Sequence, residues 1–198
     1  MAVIRHALAA LAMLLTPVAA AADDYVIDPE HTSIVFKVGH WQFSRVQGRF
    51  NRISGKFSFD PAKPETSTVY VEVDIASFDT NHAARDRHML DPTFFNVAKY
   101  PKAVFRSTKI VRTGKRTGLL TGNLTLLGVT KPVTLKVTFN GIAPHPLRNR
   151  HPKYKGVVVA GFSASTSIRR SRFGMTNAIP EKSDIAQLSI EVEGWKKR

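Results

Sequence analysis

Apolar and polar residues alternate with a period of two along most of this chain. Val69, Val71, Val73 and Ile75 alternate with Tyr70, Glu72 and Asp74. Val133, Leu135, Val137 and Phe139 alternate with Thr134, Lys136 and Thr138, and Leu188, Ile190 and Val192 with Ser189, Glu191 and Glu193. That period belongs to strands with one apolar and one wet face. Less regular versions span 32–39, 46–60, 102–111, 117–127 and 156–168, which makes eight runs, with a short opening strand over 25–28. Turn signals separate them: Asp60-Pro61-Ala62-Lys63-Pro64, Arg112-Thr113-Gly114-Lys115 and the tight link Gly128-Val129-Thr130. A longer basic loop, 143–155, joins the sixth run to the seventh.

One helical stretch interrupts the strands, over 81–90. Asn81 is a good N-cap residue, and Asp91-Pro92 is a good stop. The pattern predicts an all-β, antiparallel fold with a single short helix, either a closed barrel or a sandwich. Eight strands close into a barrel wide enough for packed side chains or for one small ligand. Several apolar faces set small residues beside large ones: Gly122 with Leu124 and Leu126, Ala164 with Phe162, Ala103 with Phe105. A solid core would more simply use large residues throughout, so the mixture is expected to leave room for a narrow channel.

The chain opens with Arg5, an apolar run over 7–15, a Thr16-Pro17 break and small residues up to Ala22. This describes a secretory signal peptide over residues 1–22, with a single domain over 23–198. The apolar run is about half the roughly 20 residues that span a bilayer. Cysteine is absent, so an exported domain would hold together without disulfides.

The net charge of +14 is unevenly distributed. All fifteen acids lie at or before Asp91 or at or after Glu181, and sixteen Lys and Arg fall between Pro92 and Pro180. Such asymmetry points to an anionic partner or to a solvated basic face. Export and the lack of a helix-turn-helix, zinc-finger or RNP-type signature argue against nucleic acid. Lipid phosphates, on a membrane surface or on a head group, fit better.

The richest polar cluster is Asn81, His82, Arg85, Asp86 and His88. As a metal site it is weak, because His82 and Asp86 share a helix face while His88 points elsewhere. No metal is therefore expected, and no cofactor. No Gly-x-Ser-x-Gly elbow or other nucleophile accompanies it, so no catalytic residue is assigned. The bland alternative is a capped helix closing one end of the barrel. His145 and His151, among prolines and arginines, read as solvated loop residues.

Asp79-Thr80-Asn81-His82, Arg85-Asp86-Arg87-His88, Phe94-Phe95-Asn96 and Lys99-Tyr100-Pro101 resemble the central signature of the YceI-like family of polyisoprenoid-binding proteins. Asp28-Pro29-Glu30-His31-Thr32, Phe36-Lys37-Val38-Gly39-His40, Gly122-Asn123-Leu124-Thr125-Leu126, Gly128-Val129-Thr130-Lys131-Pro132 and Gly161-Phe162-Ser163-Ala164 agree in register. The resemblance implies an eight-stranded lipocalin-like barrel, in the bacterial periplasm, with an apolar tunnel for an isoprenoid chain such as a polyprenyl phosphate or quinone. The tunnel would be lined by Phe36, Val38, Phe50, Phe57, Phe105, Leu124, Leu126, Phe162 and Ala164. Asn81, His82, Arg85, Asp86 and His88 would form its polar mouth. Met89-Leu90-Asp91-Pro92 and the loop 144–155 depart from the family pattern, both at positions expected near the mouth. Two other functions compete. One is an enzyme acting on a lipid head group through His82, Asp86 and His88, which would have to converge. The other is a solid basic barrel docking on anionic membranes.

Overall fold

The computed structural model describes residues 22–41, 43–179 and 183–196. The signal peptide expected over 1–22 therefore lies, Ala22 apart, outside the described residues. The strands are β1 (Asp23–Ile27), β2 (Ser33–His40), β3 (Ser44–Phe50), β4 (Ile53–Phe59), β5 (Thr68–Asp74), β6 (Phe78–Asp79), β7 (Lys102–Arg112), β8 (Thr117–Leu126), β9 (Val129–Pro144), β10 (Val158–Arg169) and β11 (Ile185–Lys196). Every pairing among them is antiparallel.

Eleven strands make eight staves, because three staves are broken midway. β1 and β2 lie end to end against β11, with Val26 opposite Trp195 and Phe36 opposite Leu188. β4 and β3 lie end to end against β1 and β2, with Val26 opposite Lys56 and Val38 opposite Val46. β5 and β6 form the third broken stave, on β4 and β3. β7 to β11 follow in order, and the β1–β11 pairing closes the ring. The run 46–60, continuous in the sequence reading, is thus split at Asn51-Arg52.

The three breaks lie side by side, and two of them, those of β3–β4 and β5–β6, are pinned together. The Asn51 N–H donates to the Ser77 carbonyl at 3.0 Å, the Arg52 N–H to Ser77 Oγ at 2.9 Å, and Arg52 Nε to Asp74 Oδ2 at 2.8 Å. Bends at one level curl the sheet onto itself, and these bonds pair the Asn51 and Arg52 N–H groups that lie outside the strand ladder.

The helix α1 (Ala83–Leu90) sits across one end, the cap end, with the β2–β3 tip, the β8–β9 turn and residues 170–179. Its N-cap is His82, one residue later than expected, and the His82 side chain accepts the Arg85 N–H. Asn81 instead takes a left-handed conformation (φ 59°), which asparagine tolerates better than most residues. At the β8–β9 turn, Leu127 (φ 53°) and Gly128 (φ 74°) supply the paired positive φ values that a tight hairpin turn needs. Among the described residues no helix is long and apolar enough to cross a membrane.

The acid-free stretch folds into four adjacent staves, β7 to β10, so the charge asymmetry of the sequence becomes one side of the barrel.

Candidate functional site

The inward faces enclose a cavity of about 690 Å³, within the 300–1,000 Å³ usual for ligand pockets. Two aromatic clusters flank it. Toward the cap end Phe36, Phe78, Phe94 and Phe95 pack with Ile75, Ala103 and Met175. Toward the other end Phe57 and Phe59 pack with Tyr25, Ile27 and Ala160, against Phe139 and Phe162. Most rings meet tilted or edge-on, as in Phe50–Phe95 at 6.0 Å and Phe59–Phe162 at 5.0 Å, while Tyr25–Phe57 and Phe36–Phe78 stack. The cavity runs between the clusters and past them, from Trp41 and Met175 at the cap end to Pro61 and Lys115 at the far end.

All nine residues expected to line a tunnel do line this cavity. Phe36 and Val38 on β2, Phe50 on β3 and Phe57 on β4 form one side. Phe105 on β7, Leu124 and Leu126 on β8, and Phe162 and Ala164 on β10 form the other. Gly122 departs from the expectation that its smallness opens space. The Phe105 ring lies across it, filling the place of a side chain, and Gly122 does not border the cavity. Phe36 covers Gly48 and Phe57 covers Gly194 in the same way. Ala103 and Ala164, by contrast, do face the cavity.

The polar cluster divides. Arg85 and His88 reach the cavity wall; Asn81, His82 and Asp86 do not. The exposed Asn81 donates its N–H to Asp79 Oδ1 at 2.8 Å, and the exposed His82 is occupied in capping the helix. Asp86 turns back to accept the N–H of buried Thr80 at 3.0 Å, and the Thr80 hydroxyl as well. Thr80 in turn holds Arg85, whose Nε reaches Thr80 Oγ1 at 2.7 Å and whose Nη2 reaches the Thr80 carbonyl at 2.9 Å. Asp86, acting through Thr80, therefore aims Arg85 rather than meeting a ligand. His82, Asp86 and His88 do not converge, as head-group catalysis through them would require.

The polar wall residues missed in the sequence include Thr80, Arg170 and Ser183 at the cap end. Arg170 follows β10, and its Nε donates to the Ser183 carbonyl at 2.8 Å. Burial pushes its pKa below the usual guanidinium value, against the pull of Asp184. Nothing in local sequence marks it out among so many arginines; its place at the end of β10, against Ser183 and Asp184, puts it at the cap end. Toward the far end Arg112 and Arg116 also border the cavity, each bonded to carbonyls. Arg112 Nε donates to Gly114 at 3.0 Å, and Arg116 Nε to Phe139 at 2.7 Å.

Asp184 anchors the segment carrying Arg170. It is 5% exposed and accepts the Ser171 N–H and hydroxyl, both at 2.9 Å, and Arg169 Nη1 at 3.3 Å. Burial alone would raise its pKa, but these bonds outweigh burial and hold the carboxyl below its ordinary value of 3.8. A depressed folded-state pKa gives stability that is present above the unfolded value and lost as pH falls through the folded one. Asp184→Asn is expected to cost about 1–3 kcal/mol near neutrality. Thermal melts should show the gap from the parent narrowing as pH drops below 3.8.

The loop 145–157 borders no part of the cavity, although it was expected near the mouth. It folds back on the barrel, with His145 stacked on Tyr154 at 3.8 Å and Tyr154 edge-on to Trp195 at 5.6 Å. His145 is accordingly half-buried, and His151 caps a short turn by accepting the Lys153 N–H. Among the described residues Asp28, Glu30 and His31 bring ligand-type atoms within 4.8 Å of one another. Their own bonds explain the grouping, since Asp28 accepts His31 Nδ1 at 2.6 Å and the Glu30 N–H at 3.0 Å. This turn fastens the break between β1 and β2.

The description "YceI-like domain" matches residues 25–194. A UPF0312 protein of Pseudomonas savastanoi pv. phaseolicola is 42% identical over 200 residues, covering 98% of this chain and all of that protein. The crystal structure of the Campylobacter jejuni YCEI protein matches with a TM-score of 0.70 and 33% identity, over 81% of this chain and 91% of that one. A polyisoprenoid binding domain from Saccharophagus degradans, implicated in plant cell wall breakdown, has a TM-score of 0.58 at 14% identity, over 88% of this chain and 98% of that one. That likeness shows shared fold alone. With its matched domain filling nearly all of the barrel, this chain belongs to the YceI-like family.

Proposed function

We propose that this protein is a non-enzymatic carrier that holds one long-chain isoprenoid, or a similar amphiphilic lipid, inside its barrel. The observation that carries the reading is the cavity: predominantly apolar along its length, with its charged side chains at its two ends. Each buried CH₂ contributes about 0.8 kcal/mol, so ten carbons supply roughly 8 kcal/mol. Association costs of about 4–15 kcal/mol mean that only a long chain binds well. The likeness to a domain described as polyisoprenoid-binding favours a branched isoprenoid over a straight acyl chain.

Arg85, His88 and Arg170 would take the head group at the cap end. A half-buried guanidinium beside an apolar cavity is costly unless it meets an anion, and a planar donor fork suits phosphate. The polyprenyl phosphate class therefore fits better than a quinone. The chain's opening residues support action in the periplasm after removal of a leader, and a mature N-terminus between Ala21 and Asp24 on exported protein tests that placement.

Ligand linkage tests the binding. A long-chain polyprenyl phosphate at a hundred times its Kd should stabilise delipidated protein by about 2.7 kcal/mol, read as a raised Tm. Dimethylallyl phosphate, with the same head and one isoprene unit, should leave Tm unchanged. Equal effects of the two would place recognition in the head alone and contradict a chain-binding cavity.

A further inference from the structure

We infer that the β2–β3 tip is a membrane-docking element, which seats the cap end of the cavity on an anionic lipid surface. The two most exposed large hydrophobic side chains of the described residues are both aromatic, and both lie on this tip: Phe43 at 91% and Trp41 at 62% exposed. Exposing two aromatic rings between β2 and β3 is unfavourable in water, whereas a bilayer interface is where such rings are most stable. Charge agrees with the aromatic signal. Lys37 and Arg45 line a surface depression together with Trp41, and neither has an acidic partner among the described residues. Phosphate head groups would complete that cationic pair while the rings enter the interface.

The placement is also functional. His40 and Trp41 border the cavity as well as the outside, so the tip meets the bilayer where a lipid would leave or enter. On the lipid-carrier reading, on which this purpose rests, a protein loading from a membrane must bring a cavity opening to it. The stave carrying Lys37 lies across the ring from β8, on the side away from the acid-free half. Docking therefore does not follow from the bulk charge asymmetry, and the two are separable.

The test uses vesicles of phosphatidylcholine with and without phosphatidylglycerol. With Trp195→Phe as background, Trp41 is the sole tryptophan, and brominated lipids should quench its emission on the anionic vesicles. Phe43→Ser, outside the cavity wall, should weaken co-sedimentation about tenfold, the loss expected for one buried aromatic ring. Lys37→Glu with Arg45→Glu should weaken it on anionic vesicles, whereas Lys109→Glu with Lys136→Glu, exposed on the acid-free half, should not. Unquenched Trp41, or binding that follows Lys109 and Lys136, would overturn the docking assignment. Organic extracts of the same preparations separate the two claims. A filled cavity with tip-independent vesicle binding sinks the docking element, and an empty one with tip-dependent binding sinks the carrier reading.

Discussion

Ala164→Phe is expected to give a protein that folds normally and carries no long-chain lipid. Ala164 lies midway along β10, between Val137 of β9 and Ile190 of β11, with its methyl on the cavity wall. A phenyl group there would occupy volume that the lipid chain needs, and it would meet empty space rather than packed neighbours. In a solid core the same change would overpack and cost roughly 1–3 kcal/mol, lowering Tm by about 2–4 °C per kcal/mol at this chain length. The comparison is lipid content and Tm of parent and variant after delipidation. An unshifted Tm with lost lipid supports the cavity; a lowered Tm with lipid content unchanged contradicts it.

Gly122→Val should do the opposite, removing stability first. A side chain at Gly122 would stand only 2.5 Å from the Arg106 carbonyl, and it would collide with the Phe105 ring lying across the glycine. The ring can swing, but a carbonyl held between paired strands cannot move cheaply. The expected cost is at the upper end for overpacking, about 3 kcal/mol, or a Tm lower by about 6–12 °C. Displaced into the cavity, Phe105 should also reduce lipid uptake. Gly122→Ala should show the same sign with smaller size. A Tm equal to the parent's would mean that the strand opens without cost and that Phe105 does not depend on Gly122.

Period-two patterning made the wall of the barrel legible, because a residue's inward or outward aim is fixed by its place in a strand. Phe36, Leu124 and Phe162 could be assigned to the interior on that ground and on the family resemblance. What the pattern could not show was how one wall meets another. Gly122 reads as open space along β8, and only the diagonal neighbour on β7 reveals that Phe105 fills it. The break at Asn51-Arg52 was hidden for a related reason. Apolar alternation continues on both sides of it, and the hydrogen bonds that pin it come from Asp74 and Ser77, more than twenty residues away.

The polar end was legible only in composition. Asn81, His82, Arg85, Asp86 and His88 were picked out as a group, but the structure sorts them by role. Arg85 and His88 face the cavity, Asp86 positions Arg85 through Thr80, and His82 caps a helix. Caps and clasps use the same residue types as ligand contacts, so local sequence does not separate them. Arg170 was invisible because its burial depends on Ser183 and Asp184, more than ten residues away, not on any neighbour in sequence.

The central claim is that the barrel interior is a lipid site. Mass spectrometry of an organic extract, from protein purified natively without detergent, tests it most directly. The account predicts a long-chain isoprenoid, phosphorylated at one end, at close to one molecule per chain, and its absence from Ala164→Phe prepared in parallel. Parent protein that yields no lipid, and whose Tm does not respond to added long-chain polyprenyl phosphate, would contradict it.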